Sequence, residues 1–185
     1  NNRVDGIILG GDCTFGLEST VLDLTNDIPT ILRPGSITKE DLEQVIGTVN
    51  IDPALERKED NIKAKAPGMK YKHYSPNADV FIVSGNSEKV IDKINELVNN
   101  NSKEGLRTVV MCLAKNQDKY KSDTIVLGNN LEEVASNLFN ALITADEEKY
   151  DIVYTEEFSN DGVGRAIMNR LLKSAGYKII KICGK

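Results

Sequence analysis

From residue 80 onward, short apolar runs alternate with stretches whose apolar residues recur every three or four positions, and this alternation constrains the chain more than any other feature. Residues 80–83, 108–113, 124–127, 152–154 and 179–182 have the length and the β-branched content of buried strands. Between them, Val90, Ile91, Ile94, Leu97 and Val98 fall on one helical stripe, with Ser87 as its cap. Val134, Leu138, Phe139 and Leu142 make a second stripe. Ile167, Leu171, Leu172 and Ala175 make a third, which starts after Gly164 and stops at Gly176. Strands this apolar need cover on both faces, and the intervening helices supply it. The expected fold is α/β: a small Rossmann-like domain over residues 80–185, with a mostly parallel sheet flanked by helices.

Upstream, the pattern is shorter and more punctuated. Residues 21–24 and 30–32 read as strands joined by the polar turn Thr25-Asn26-Asp27, and Arg33-Pro34-Gly35 reads as the next turn. A helix follows: Thr38 and Asp41 have capping-box spacing, Leu42, Val45 and Ile46 repeat at helical intervals, and Gly47 ends it. Residues 1–49 are therefore part of another α/β unit. Over residues 50–79 neither period survives, and Pro53, Pro67, Gly68 and Pro76 lie among many charges, so this stretch reads as a linker or lid.

Composition excludes several classes of function. The formal net charge of -5 and a pI near 5.1 argue against strong nucleic-acid binding through phosphate neutralisation. No apolar run reaches the roughly 20 residues of a membrane-spanning helix. Cys13, Cys112 and Cys183 are odd in number and lack metal-ligand spacing, as expected of free thiols in the cytoplasm. The opening Asn1-Asn2-Arg3, which runs quickly into Ile7-Ile8-Leu9, reads as an internal cut.

Three segments carry a resemblance. Gly16-Leu17-Glu18-Ser19-Thr20-Val21, with Asp23-Leu24 and Ile31-Leu32-Arg33-Pro34-Gly35, resembles the final strands of the catalytic domain of YrdC-type threonylcarbamoyl-AMP synthases. Pro67-Gly68-Met69-Lys70-Tyr71-Lys72-His73-Tyr74-Ser75-Pro76 is similar to the segment that joins this domain to the carboxy-terminal extension of the longer members. The stretch from Gly162 through Gly164, Arg165 and Asn169 to Leu171 is similar to the signature of that extension. The order of the three makes the match specific. The resemblance implies a nucleotidyltransferase of tRNA processing. In such an enzyme L-threonine and bicarbonate form a carbamate whose carboxylate attacks the α-phosphate of ATP, the nucleotide carrying Mg²⁺. Threonylcarbamoyl-adenylate and pyrophosphate result, and the adenylate serves tRNA-modifying partner proteins.

On that basis Arg33 is the expected phosphate or adenylate contact, since a guanidinium offers phosphate oxygens a planar fork of donors. Ser19 and Thr20 correspond to positions that bind threonine or the nucleotide; a hydroxyl both donates and accepts. Lys70, Tyr71, His73 and Tyr74 are expected to fold over ATP as a lid that keeps water from the anhydride. Glu18 has no acidic or histidine partner nearby in sequence and is expected to play a structural hydrogen-bonding role. Gly10, Gly11 and Gly16 permit tight turns or the close approach of a ligand. Gly162-Val163-Gly164 lacks the third glycine of a dinucleotide fingerprint, and a helix start shaped for packing is the expectation. The basic residues that cradle the triphosphate belong to an earlier half of the catalytic domain with no counterpart here, so the chain alone is expected to be inactive. Two other classes stay open: a non-catalytic module that binds a ligand or partner, and an RNA-binding module.

Overall fold

A computed structural model describes residues 4–11, 13, 15–55 and 75–182. Lys70, Tyr71, His73, Tyr74 and Cys183 lie outside them. Two sheets are present among the described residues. In the first, β1 (Val21–Asp23) runs antiparallel to β2 (Thr30–Arg33), and β2 runs parallel to β3 (Asn50–Ile51). The Asp23 carboxylate builds the turn after β1, accepting from the Thr25 backbone and hydroxyl and from the Asn26 amide. Helix α1 (Lys39–Ile46) has the full capping box: the Thr38 hydroxyl accepts from the Asp41 N–H, and the Asp41 carboxylate accepts from the Thr38 N–H. A hydrogen bond from the Thr38 hydroxyl, and then the one from the Thr38 N–H, hold the Asp41 carboxyl below its usual pKa.

The second sheet has five strands: β4 (Asp79–Ser84), β5 (Thr108–Leu113), β6 (Asp123–Gly128), β7 (Ile152–Glu156) and β8 (Ile179–Lys181). They lie in the order β6-β5-β7-β4-β8, and every pairing is parallel. Helix α2 (Ser87–Lys103) covers one face, burying Val90, Ile91, Ile94 and Val98 against Val83, Val110 and Tyr154. Helices α3 (Leu131–Glu147) and α4 (Val163–Ser174) cover the other, where Val134, Leu138, Leu142, Ile167 and Leu171 meet Val80, Ile82, Val109, Met111 and Val153. The two cores explain why these strands carry apolar residues at successive positions.

Three local expectations need correction, and one connecting element is unanticipated. The stretch read as linker from residue 50 begins with ordered structure: Asn50 and Ile51 pair with β2, a 3₁₀ turn follows (Pro53–Leu55), and Leu55 is buried with Ile31 and Val49. A two-residue strand is too short to leave a period. The cap of α2 is Asn86, whose side chain accepts from the Glu88 N–H, and Ser87 is the first helical residue. Phe139 is only half-buried and lines a cavity beside α3. A 3₁₀ helix (Ala114–Lys119), which no apolar period announces, connects β5 to β6.

Candidate functional site

The two sheets meet along α4. Phe15 and Leu17 pack against the core under α3 and α4, which lays the Phe15-to-Ser19 run along α3. A Cβ added at Gly16 would stand 2.3 Å from the Ser136 carbonyl oxygen. The close approach expected at this glycine is therefore made to the backbone of α3. Between this run and α3 lies a cavity of about 510 Å³, walled by Phe15, Leu17, Glu18, Asn137, Phe139 and Arg170.

At the end of this run the Glu18 carboxylate forms an ion pair with Arg170 of α4. Arg170 is only 6% exposed and Glu18 32%, so the carboxylate offsets a charge that has lost most of its water. Burial holds the Arg170 pKa below its ordinary value. Glu18 thus has a structural partner, far away in sequence. One turn further along α4, Lys173 is also buried; its ammonium donates to Asn169 Oδ1 at 2.9 Å. Burial, with Arg170 and Arg33 nearby, brings its pKa down to about 8.

Arg33 ends β2 beside this cluster. Its Nε donates to the Ser19 carbonyl oxygen at 2.9 Å, so Arg33 and Ser19 meet through the backbone. Arg33, Pro34 and Glu18 face Ala166, Asn169, Arg170 and Lys173 across a crevice of only about 10 Å³. Ser19 is exposed and lines neither this crevice nor the larger cavity. The Thr20 hydroxyl donates to the Ile37 carbonyl at 2.6 Å, a bond that ties β1 to the start of α1. Of the expected site residues, the three that are described divide: Arg33 sits in a cationic junction, Ser19 stands at its edge and Thr20 holds the scaffold.

Sequence reasoning gave Arg170 and Lys173 no role. Their signal was two basic residues three apart on a helix whose remaining residues are mostly apolar. It likewise missed a polar knot at the carboxyl ends of the central strands, where Glu156 accepts from the Asn116 amide (2.9 and 3.0 Å) and from the Tyr120 hydroxyl (2.6 Å). Lys119 donates in turn to Asn116 Oδ1. Its donors have acceptors within it, so the knot is a structural device. Cys112 lies close enough to Glu156 to feel its charge; burial first, and then that charge, push its thiol pKa up to about 12. The Gly162-to-Gly164 stretch opens α4 as a packing device, because a Cβ at Gly164 would stand 2.1 Å from the Ser159 carbonyl oxygen. Among the described residues no three His, Cys, Asp or Glu side chains cluster to hold a metal ion, and no helix is long and apolar enough to cross a membrane.

Residues 37–176 match the family model described as threonylcarbamoyl-AMP synthase, C-terminal domain. Over 97% of its length the chain is 43% identical to the threonylcarbamoyl-AMP synthase of Pyrococcus abyssi, and over 98% it is 41% identical to that of Bacillus subtilis. These alignments cover 52% and 51% of the two proteins, so the chain spans about half the length of the curated relatives it matches. A crystal structure of P. abyssi Sua5 complexed with L-threonine superposes with a TM-score of 0.86 at 42% identity, over 94% of this chain and 50% of that one.

Proposed function

The chain belongs to the threonylcarbamoyl-AMP synthase family, and from that premise we propose that it supplies one wall of an adenylate-forming site whose other wall lies in a further part of a longer protein. That protein converts L-threonine, bicarbonate and ATP to L-threonylcarbamoyladenylate and pyrophosphate for the threonylcarbamoyladenosine modification of tRNA. The observation that carries the reading is that the exposed large apolar residues, among those described, concentrate in residues 4–46. Ile8 is 99% exposed, Leu9 92% and Val45 83%, and Leu24 and Ile37 stand open as well. Large apolar side chains left open in one part of a chain are common where another part of the protein covers them.

In this reading residues 1–49 belong to the catalytic unit, the part from residue 37 being shared with the C-terminal family match, and the five-stranded sheet is the extension that braces it. Adenylation needs the carbamate carboxylate held in line with the α-phosphate and cationic donors where negative charge collects. Arg33 is the residue for the second task. Its Nε is anchored on the Ser19 carbonyl, which holds the planar guanidinium fork in place at the junction, the geometry that suits phosphate oxygens. Ser19, exposed just before β1, supports a contact to the threonine substrate or nucleotide, whereas the Thr20 hydroxyl is engaged by Ile37. Glu18 is committed to Arg170, so Mg²⁺ enters with the phosphates of ATP and is not caged by these residues. Lys70, Tyr71, His73 and Tyr74 remain proposed lid residues on the strength of the family resemblance.

The chain by itself lacks the residues that cradle the triphosphate and is inactive on this reading. The test uses the longer protein. Arg33→Ala should cut threonine- and bicarbonate-dependent pyrophosphate release by at least tenfold, and turnover equal to the parent's would refute the assignment. Pyrophosphate release by the 185-residue chain alone would overturn the two-wall reading.

A further inference from the structure

A second cleft, of about 320 Å³, lies between α4 and the first sheet. Pro34, Ile51 and Leu55 form one side. Arg165, Asn169 and Leu172, at intervals of four and three residues, present one face of α4 on the other, and Asn160, from the loop after β7, completes the lining. The volume is at the small end of the range for ligand pockets.

Three features of this lining point to an occupant. Among the described residues Arg165 is the only ionisable one in it; the rest are apolar or amides. The Arg165 Nε is buried, and among the described residues it has no acceptor; no other buried side-chain nitrogen or oxygen there is left in that state. An unmet donor of this kind is costly, and folded chains keep few of them. Asn169 has its oxygen engaged by Lys173, which leaves the amide NH₂ to donate elsewhere. The cleft is thus supplied with donors and one positive charge, and among the described residues its lining contains no carboxylate to balance them. An inorganic ion would shed its water against Pro34, Ile51, Leu55 and Leu172 and gain nothing from them. An anion with an apolar part would use both halves.

We propose that this cleft binds a small organic oxyanion, one carboxylate or phosphate group on a compact apolar or aromatic body. Arg165 is its charged anchor, Asn160 and Asn169 are amide donors, and the Pro34–Leu55 side is the apolar seat. The cleft adjoins the Arg33 junction, with Pro34 and Asn169 lining both, and its assignment does not depend on the adenylate reading. It also assigns a binding task to the first turn of α4, whose glycines were explained by packing alone.

The test titrates the purified 185-residue chain, followed by calorimetry, with phenyl phosphate, adenosine monophosphate, 3-methylbutanoate and inorganic phosphate. One organic anion should saturate at one equivalent, at least about tenfold more tightly than inorganic phosphate, and whether a carboxylate or a phosphate saturates identifies the anionic group. Arg165→Gln should weaken that binding by roughly tenfold to a hundredfold, the range of one charge-assisted hydrogen bond. Asn160→Ala, in an exposed loop where folding is safe, should weaken it several-fold and carries the test if the arginine variant does not fold. No saturable binding by any of the three organic anions, or binding that both variants leave unchanged, would overturn the proposal.

Discussion

Replacing Glu18 by Gln removes the carboxylate that faces Arg170 and leaves a guanidinium only 6% exposed, with the ammonium of Lys173 nearby. Breaking a fully buried pair costs about 3–5 kcal/mol, and breaking an exposed one costs about 0–1. Here one partner is buried and the other 32% exposed, so a loss of about 2–3 kcal/mol is expected. In a chain of this size that lowers Tm by about 4–12 °C. Arg170→Met should cost less, because it keeps most of the packing volume and strands no buried charge. In the double variant the two losses should not add: once the cation is gone, Glu18→Gln has little left to break. A double-mutant cycle on the four proteins, with stabilities from urea unfolding followed by far-UV circular dichroism, measures this as a coupling energy of about 2 kcal/mol. A coupling below about 0.5 kcal/mol would place the pair with ordinary surface contacts and refute the view that α4 and the first sheet are clamped together there.

Other outcomes follow from the same geometry. Between about pH 8, where folded Lys173 releases its proton, and its ordinary value of 10.5, the unfolded chain binds the proton and the folded chain does not, so this residue's contribution to stability rises with pH across that window. The stability difference between the parent and Lys173→Met should shift by about 1–3 kcal/mol in the parent's favour from pH 7.5 to 10, and a flat difference would refute it. Gly16→Ala forces a Cβ onto the Ser136 carbonyl and should cost at least about 2 kcal/mol in urea unfolding, whereas the same change at exposed Gly10, with nothing within 4 Å, should be nearly neutral. Alkylation mapped by mass spectrometry should label exposed Cys13 and spare Cys112 until the chain unfolds; modification of native Cys112 would contradict its burial.

What could be read in advance was what local chemistry dictates. The stripes of α2 and α4, the capping box of Thr38 and Asp41, and the strand at residues 108–113 all follow from periods and hydrogen bonds that close within a few residues. The parts that escaped depend on partners far away in the chain. Asn50 and Ile51 become a strand because β2 offers an edge, and no two residues can announce that. Asn86 displaced Ser87 as the cap because adjacent polar residues compete for one helix start, and the backbone, more than composition, decides between them. Glu18 was correctly read as structural, but its partner Arg170 could not be named, since the pairing exists only once α4 is laid against the first sheet. The Arg165 cleft was invisible for the same reason, being assembled from three separate stretches.

Helix α4 is enclosed to an unusual degree. Eight of its twelve residues are buried, against four of seventeen in α2, because one side closes the parallel sheet and the other meets the Arg33 junction. Few of its positions are at liberty to vary. A substitution that enlarges Ile167 or Leu171 for the benefit of the sheet would push Arg170 and Asn169 off their seats on the opposite side. Randomised libraries of the chain should accordingly accept changes along the outer flank of α2 and reject nearly all of them in α4, including conservative ones far from any ligand.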